Sequence, residues 1–450
     1  MKHNVILITI DSLRADRLGC LGYHRETTPN LDKLASKGYL FLEAISVGSN
    51  TRVSFPALFA SLYPFILLHL PDKGYMHLPR EWLTVTEILH NHGYNTLAVN
   101  SNPLLTYYRE YGRGFDICDD PLYEREKGGF FGQMQSSIHS FTKKIAGKPA
   151  LPYPSPDAIS KKALAFLDGI KAPFFLWVNH MSIHIPYFPP KKFVEEITGG
   201  QIPHSRIKRL NKKIMSKQPG VSKQDISDIV DLYDAEVRNV DHCIGDFIEQ
   251  LDGIGISNKN TYFIITSDHG DELMEHGGLA HADAKLYEEL IRVPLIIVGP
   301  NLKATRIERQ VSTLHLTPAI LGLNDIAKPD YYMGYSSALL VQDEAVESDE
   351  YVISESCEKS KSPDEPQATD MQMSCRSHQW KYIYNEKQGE ELYDLQSDPQ
   401  EKSNIAEKEP NRVRALKKKI IAHQAFEEDT ARKIMEIRRI KRKLSNVRMK

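Results

Sequence analysis

The chain has little cysteine, no long apolar run and almost no net charge, and each shortage excludes something. Its five cysteines (Cys20, Cys118, Cys243, Cys357 and Cys375) are scattered, odd in number and never spaced CxxC, which argues against a disulfide framework or a zinc knuckle. They read as reduced thiols. No apolar stretch exceeds strand length, so no transmembrane helix is expected. The sequence runs straight into its first apolar segment, with no basic stretch and cleavage site ahead of it, so the expectation is a cytoplasmic protein without a signal peptide. A net charge of −2 over 450 residues, with 41% hydrophobic and 26% charged side chains, is that of an ordinary globular protein. No specific nucleic-acid partner is expected. No internal repeat is evident. Charge is nonetheless uneven: residues 411–450 carry fourteen Lys/Arg against four Asp/Glu, a net of +10, which leaves −12 for residues 1–410.

What is there is a series of short buried-strand patterns that end in polar residues. Residues 5–10 are apolar and rich in β-branched side chains, and the run stops on Asp11. Residues 95–100 lead to Ser101-Asn102-Pro103, residues 174–178 lead to His180 and His184, and residues 262–266 lead to Asp268-His269. Residues 293–298 make one more buried strand. In open α/β sheets, ligands bind beyond the carboxyl ends of the strands. The competing account for each residue taken alone is a polar side chain that caps a turn.

Helical patterns lie between these runs. Thr28-Pro29-Asn30-Leu31-Asp32 is a helix start, and residues 226–251 form a longer helix. Strands alternating with helices predict a three-layer α/β/α domain with a mainly parallel sheet over residues 1–345. Residues 50–56 read as a loop entering a helix at Ala57, which leaves Thr51 near a helix N-terminus. Residues 104–158 are irregular, and residues 195–224 are basic and weakly patterned; these segments are expected to read the leaving group. A polar stretch, 344–370, precedes strand candidates at 372–374, 380–384 and 391–395, giving a small antiparallel subdomain over 346–410. The tail, 411–450, is helical, with Leu416, Ile420, Ile421, Ile434, Ile437 and Ile440 as a partial apolar stripe. It fits an oligomerisation helix, an electrostatic foot on an anionic membrane surface, or a solvated helix.

Asp11, Asp268 and His269, with an oxygen from Thr51, would make a site for one divalent metal ion. Mixed oxygen and nitrogen ligands suit zinc, manganese or iron better than calcium or magnesium. Coordination would lower the pKa of the Thr51 hydroxyl and make it a competent nucleophile. Spacing alone favours a helix-capping threonine. His281 suits a general acid, because it lies in a short Gly/Ala/His segment. Asn102 is a candidate donor to an ester oxygen or a turn former. Arg52 either balances substrate charge or is solvated.

Several segments resemble the sulfatase family, within the alkaline-phosphatase-like superfamily. They are Ile8-Thr9-Ile10-Asp11-Ser12-Leu13-Arg14-Ala15-Asp16, Thr28-Pro29-Asn30-Leu31-Asp32, His184-Ile185-Pro186, Thr266-Ser267-Asp268-His269-Gly270-Asp271-Glu272 and Tyr287-Glu288-Glu289-Leu290-Ile291-Arg292-Val293-Pro294. Glu391-Leu392-Tyr393-Asp394-Leu395 with Asp398-Pro399 resembles the family's C-terminal subdomain. The motifs keep the family's order from residue 4 to about 405. The resemblance implies that Asp11, Asp268 and His269 bind the metal. It places the nucleophile at Thr51, counting back from Ala60-Ser61-Leu62-Tyr63-Pro64. It also implies that His184 and His281 contact the ester's anionic oxygens or leaving group.

The departures bear on chemistry. Where sulfatases carry Cys or Ser in C/S-x-P-x-R, this chain has Thr51-Arg52-Val53-Ser54-Phe55, and threonine cannot become formylglycine. The usual second aspartate is Ser12, which weakens calcium further. Ser101-Asn102-Pro103 stands in place of a Lys-Trp-His stretch, and His281 and Lys285 stand where many sulfatases have a lysine before YEE. The expected activity is hydrolysis of a sulfuric or phosphoric ester by in-line attack of Thr51. The substrate expected is a small molecule or a lipid head group. The alternatives are a phosphodiesterase, a phosphonate monoester hydrolase or a phospho-head-group transferase, and an inactive family member used for binding.

Overall fold

The computed structural model describes residues 2–70, 77–119, 153–216, 220–281, 284–336, 339, 350–358, 369–385 and 387–448. Of the segments expected to read the leaving group, 120–152 and 217–219 therefore lie outside the described residues. The chain forms two compact units that do not follow its linear order. The first comprises residues 1–43, 86–282 and 292–308, and the second comprises 44–85, 283–291 and 309–450.

Among the described residues, ten strands precede the C-terminal sheet: β1 (Asn4–Ile10), β2 (Tyr39–Ile45), β3 (Asn95–Asn100), β4 (Ile117–Asp119), β5 (Phe174–His180), β6 (Thr261–Thr266), β7 (Glu272–Leu273), β8 (Leu279–Ala280), β9 (Arg292–Val298) and β10 (Thr305–Ser312). All but the small β7–β8 ribbon share one sheet in the order β10-β2-β9-β6-β1-β5-β3-β4. β1, β3, β4, β5 and β6 run parallel, and β9 runs antiparallel to β6. Every residue of β1, β5 and β6 is buried, as expected for strands covered on both faces.

Six helices matter to the argument: α1 (Pro29–Ala35), α2 (Thr51–Ala60), α3 (Pro156–Leu167), α4 (Lys191–Thr198), α5 (Lys223–Gly253) and α6 (Pro410–Arg448). α5 starts three residues earlier than the apolar pattern indicated. Ser222 accepts from Asp225 N–H while the Asp225 side chain accepts from Ser222 N–H, a reciprocal cap that fixes the helix start. α5 packs on α1, α3 and α4. Ile229, Leu232, Tyr233, Val240, Ile244, Phe247 and Leu251 face the core at helical spacing. No described helix is long and apolar enough to cross a membrane.

Glu236 interrupts that apolar face. Burial pushes its carboxyl up to about 8, only partly offset by the Phe188 N–H (2.8 Å) and by Asn239. The folded chain therefore holds this proton more tightly than the unfolded one, whose carboxyl titrates near 4.5. Its contribution to stability is complete below pH 4.5 and is lost as pH rises to about 8. Glu236→Gln should flatten this decline. Urea melts between pH 5 and 8 would show it, and an unchanged slope would contradict it.

In the second unit, β11 (Val352–Glu358), β12 (Thr369–Arg376), β13 (Trp380–Asn385) and β14 (Gly389–Asp394) form an antiparallel sheet in sequence order. β11 lies inside the stretch read as merely polar. Its Ser354, Glu355 and Ser356 are buried because partners distant in sequence satisfy them: Ser354 Oγ donates to Ser46 O (2.7 Å), and Ser356 shares a hydrogen bond with Ser49 (2.6 Å). Arg376 forks onto Glu288 through two 2.9 Å bonds. The tail helix α6 exists as expected, but its stripe divides. Leu416, Ile420 and Ile434 are buried, whereas Ile421, Ile437 and Ile440 are exposed because they lie off the covered face.

Candidate metal centre

β3, β5, β1 and β6 are neighbours and parallel, so their carboxyl ends share one edge of the sheet. The registers Asn100↔Asn179, Ile10↔His180 and Thr9↔Thr266 level those ends. Asp11 follows β1, Asp268 and His269 follow β6, Asn102 follows β3 and His184 follows β5. Ser267 joins two of the tips: its Oγ lies 2.6 Å from Ile10 O, 2.6 Å from His269 O, and accepts from Leu13 N (3.0 Å).

One ligand atom from each of Asp11, Asp268 and His269 lies within 4.8 Å of the others, and all three residues are buried. His269 Nδ1 is 2.9 Å from Gly270 O, which can only accept, so Nδ1 carries the proton and Nε2 presents its lone pair. Nε2 is buried with no hydrogen bond, 3.4 Å from Asp268 Oδ2 and 3.9 Å from Asp11 Oδ1. An unbonded lone pair between two buried carboxylates fits a divalent cation, which would offset both negative charges. The Asn102 amide donates to Asp11 Oδ2 (2.9 Å) and the Ser12 hydroxyl donates to Asp11 Oδ1 (2.9 Å). Asn102, expected as a donor to an ester oxygen, thus orients a candidate ligand. Ser12, at φ 64°, also offers its N–H to Asp268 Oδ1 at 3.4 Å.

Three imidazoles cluster here: the His281 ring lies 4.3 Å from that of His269 and 5.1 Å from that of His184. His281 Nδ1 is 2.7 Å from Asp271 Oδ1, and the Tyr187 hydroxyl donates to Asp271 Oδ2 (3.1 Å). Burial alone would push the Asp271 carboxyl up. The hydrogen bond and charge of His281, with His184 and His269 nearby, hold it below its ordinary value instead. His184 Nδ1 donates to Ile185 O (2.7 Å). His180 is core: burial pushes its imidazole down to about 4, so it stays neutral.

Asp271 was not singled out from sequence, although it lies two residues past His269 in the quoted motif. Arg14 was passed over as well. It is buried, forks onto Asp16 (2.8 and 2.7 Å), pairs with Glu275 (2.7 Å) and donates to Asp271 O (3.0 Å), which ties the segment after β1 to the segment after β6. A charged residue following an apolar strand was the only available signal.

Thr51, Arg52 and Lys285 belong to the second unit. α2 begins at Thr51 itself, earlier than the loop reading placed it, because Asn50 caps the helix by accepting from Arg52 N (3.2 Å). Thr51 is buried, while Arg52 and Lys285 are half-buried.

A family model described as Sulfatase matches residues 3–326, and one described as N-sulphoglucosamine sulphohydrolase, C-terminal, matches 275–426. The chain belongs to the sulfatase family. This family consists of metal-dependent ester hydrolases. Among curated relatives, an arylsulfatase of Clostridium perfringens is 26% identical over 472 residues, covering 94% of this chain and 94% of that protein. An ulvan-active sulfatase of Formosa agariphila is 27% identical over 360 residues, covering 77% of this chain and 66% of that protein. Among solved structures, the phosphonate monoester hydrolase of Agrobacterium radiobacter shares the fold at a TM-score of 0.71 and 18% identity, covering 95% of this chain and 96% of that one. A protein solved with its substrate D-glucosamine-2-N,6-O-disulfate does so at 0.73 and 18%, covering 95% and 99%.

Proposed function

We propose that this sulfatase-family chain hydrolyses sulfuric or phosphoric esters, with Thr51 as nucleophile and His281 as general acid. The observation that carries the proposal is the buried Asp11–Asp268–His269 group with its unbonded imidazole lone pair, set beside the Asp271–His281 pair. Asp11, Asp268 and His269 would hold the metal, with zinc or manganese favoured by the mixed ligands; when bound, it supplies Lewis-acid charge toward an anionic ester oxygen.

The rest of the chemistry falls to the chain's own groups. Asp271 accepts from His281 Nδ1, which leaves Nε2 to deliver a proton to the leaving oxygen. The Thr51 hydroxyl gives up its proton to solvent as its oxygen attacks sulfur or phosphorus, the bond to the leaving group breaks, and that group departs with the His281 proton. Water, giving one proton to His281, then opens the threonine ester, and the Thr51 oxygen takes its proton back from solvent. Thr51 has no route to formylglycine, so the second half-reaction is hydrolysis of an ester and not collapse of a diol.

Asp271→Asn should lower kcat about a hundredfold, since His281 loses the carboxylate that orients its ring. A kcat equal to that of the unsubstituted chain would remove Asp271 from the relay. The substrate reading is tested with aryl sulfate, phosphate monoester, phosphodiester and phosphonate monoester under Zn²⁺ and Mn²⁺. Turnover of at least one is expected, and none with any metal would favour a binding role. A specific observation supports the phosphodiester or phosphonate reading as second: threonine replaces the formylglycine precursor, on a fold that a phosphonate monoester hydrolase shares.

A further inference from the structure

Helix α6 buries Val413, Leu416, Ile420, Ala431 and Ile434. These positions advance by threes and fours, except for a gap that His423 and Glu427 fill. An imidazole and a carboxylate thus occupy the middle of an apolar stripe. Glu427 is fully buried, and neither of its carboxylate oxygens has a hydrogen-bond partner. Across from it stands Glu355 of β11, also fully buried, whose Oε2 accepts from Phe65 N (2.9 Å).

His423 Nε2 lies 2.7 Å from Glu355 Oε1 and 3.7 Å from Glu427 Oε1, and one ligand atom from each residue lies within 4.8 Å of the other two. In a tetrahedral zinc site with ligand bonds of about 2.1 Å, neighbouring ligand atoms sit about 3.4 Å apart. The two observed separations bracket that value. The Tyr63 ring meets the His423 ring edge-on, 4.4 Å between centroids, and helps hold its orientation.

We propose that Glu355, His423 and Glu427 form a second divalent-cation site, of the zinc class, that pins the tail helix to β11. Two carboxylates and one neutral imidazole carry a charge of −2, which a divalent ion cancels. Without it, two buried carboxyl groups face each other beside one imidazole. An apolar residue would fill either helix position with no such cost. All three ligands lie in the second unit, whereas Asp11, Asp268 and His269 lie in the first.

The test uses the full chain, stripped with chelator, re-equilibrated with Zn²⁺ and desalted, with bound metal counted by mass spectrometry. The unsubstituted chain should retain two equivalents. Asp268→Asn should retain one, and adding His423→Gln or Glu427→Gln to that variant should remove it. Zn²⁺ should raise the Tm of Asp268→Asn but not of the double variants. An Asp268→Asn chain that holds no zinc overturns the site, and so does a double variant that still holds one equivalent. Because the readout is metal retained by a chain altered at the first site, the result does not depend on which ester, if any, is hydrolysed.

Discussion

Thr51→Ala is expected to lower kcat by roughly three orders of magnitude or more while leaving the fold in place. In the proposed mechanism this hydroxyl forms the covalent ester, and alanine offers no replacement. The helix start does not depend on it, because Asn50 supplies the cap. Thermal melting within a few degrees of the unsubstituted chain, alongside lost turnover, is therefore the predicted pair of results. Thr51→Ser should keep a measurable part of the rate, since a primary alcohol can be activated in the same way. Single-turnover experiments sharpen the test: a phosphoryl or sulfuryl group trapped on the chain should disappear with the alanine variant. Full turnover by Thr51→Ala would refute the nucleophile assignment and leave the family membership standing.

The second large effect is expected at Asp268. Asp268→Asn is nearly isosteric but removes one of two carboxylate charges facing the His269 lone pair. Metal affinity at this site should fall by at least about a hundredfold, with turnover falling in step until excess metal restores part of it. Asn102→Ala provides the graded comparison. Asn102 donates to Asp11 and is not among the candidate ligands, so about ten- to a hundredfold weaker retention is expected. If Asn102→Ala raised KM with metal content intact, its role would be the one first expected from sequence, a donor to the ester.

The strands of the first unit were legible because a strand buried on both faces must be apolar along its whole length. Asp11 and Asp268 stood out as charges at the ends of such runs. Parallel neighbours then forced these ends together, so the convergence followed once β1 and β6 were paired. Asp271 was not legible, because spacing cannot distinguish a carboxylate facing an imidazole ten residues away from one facing solvent. β11 was hidden for a related reason. Its serines and glutamate read as solvated until their partners from residues 46–65 were in place. The tail misled in the other direction, since counting isoleucines included several exposed ones and missed the half-buried His423 and the buried Glu427 that interrupt the stripe.

The Ser267 hydroxyl has a consequence of its own. It sits between the ends of two strands and links the Ile10 carbonyl to the loop bearing Asp268 and His269. Ser267→Ala deletes no candidate ligand atom, yet it should let the two loops drift independently. Such a chain would still load its ion but surrender it sooner, so that the damage would register as residence time before it registered as capacity.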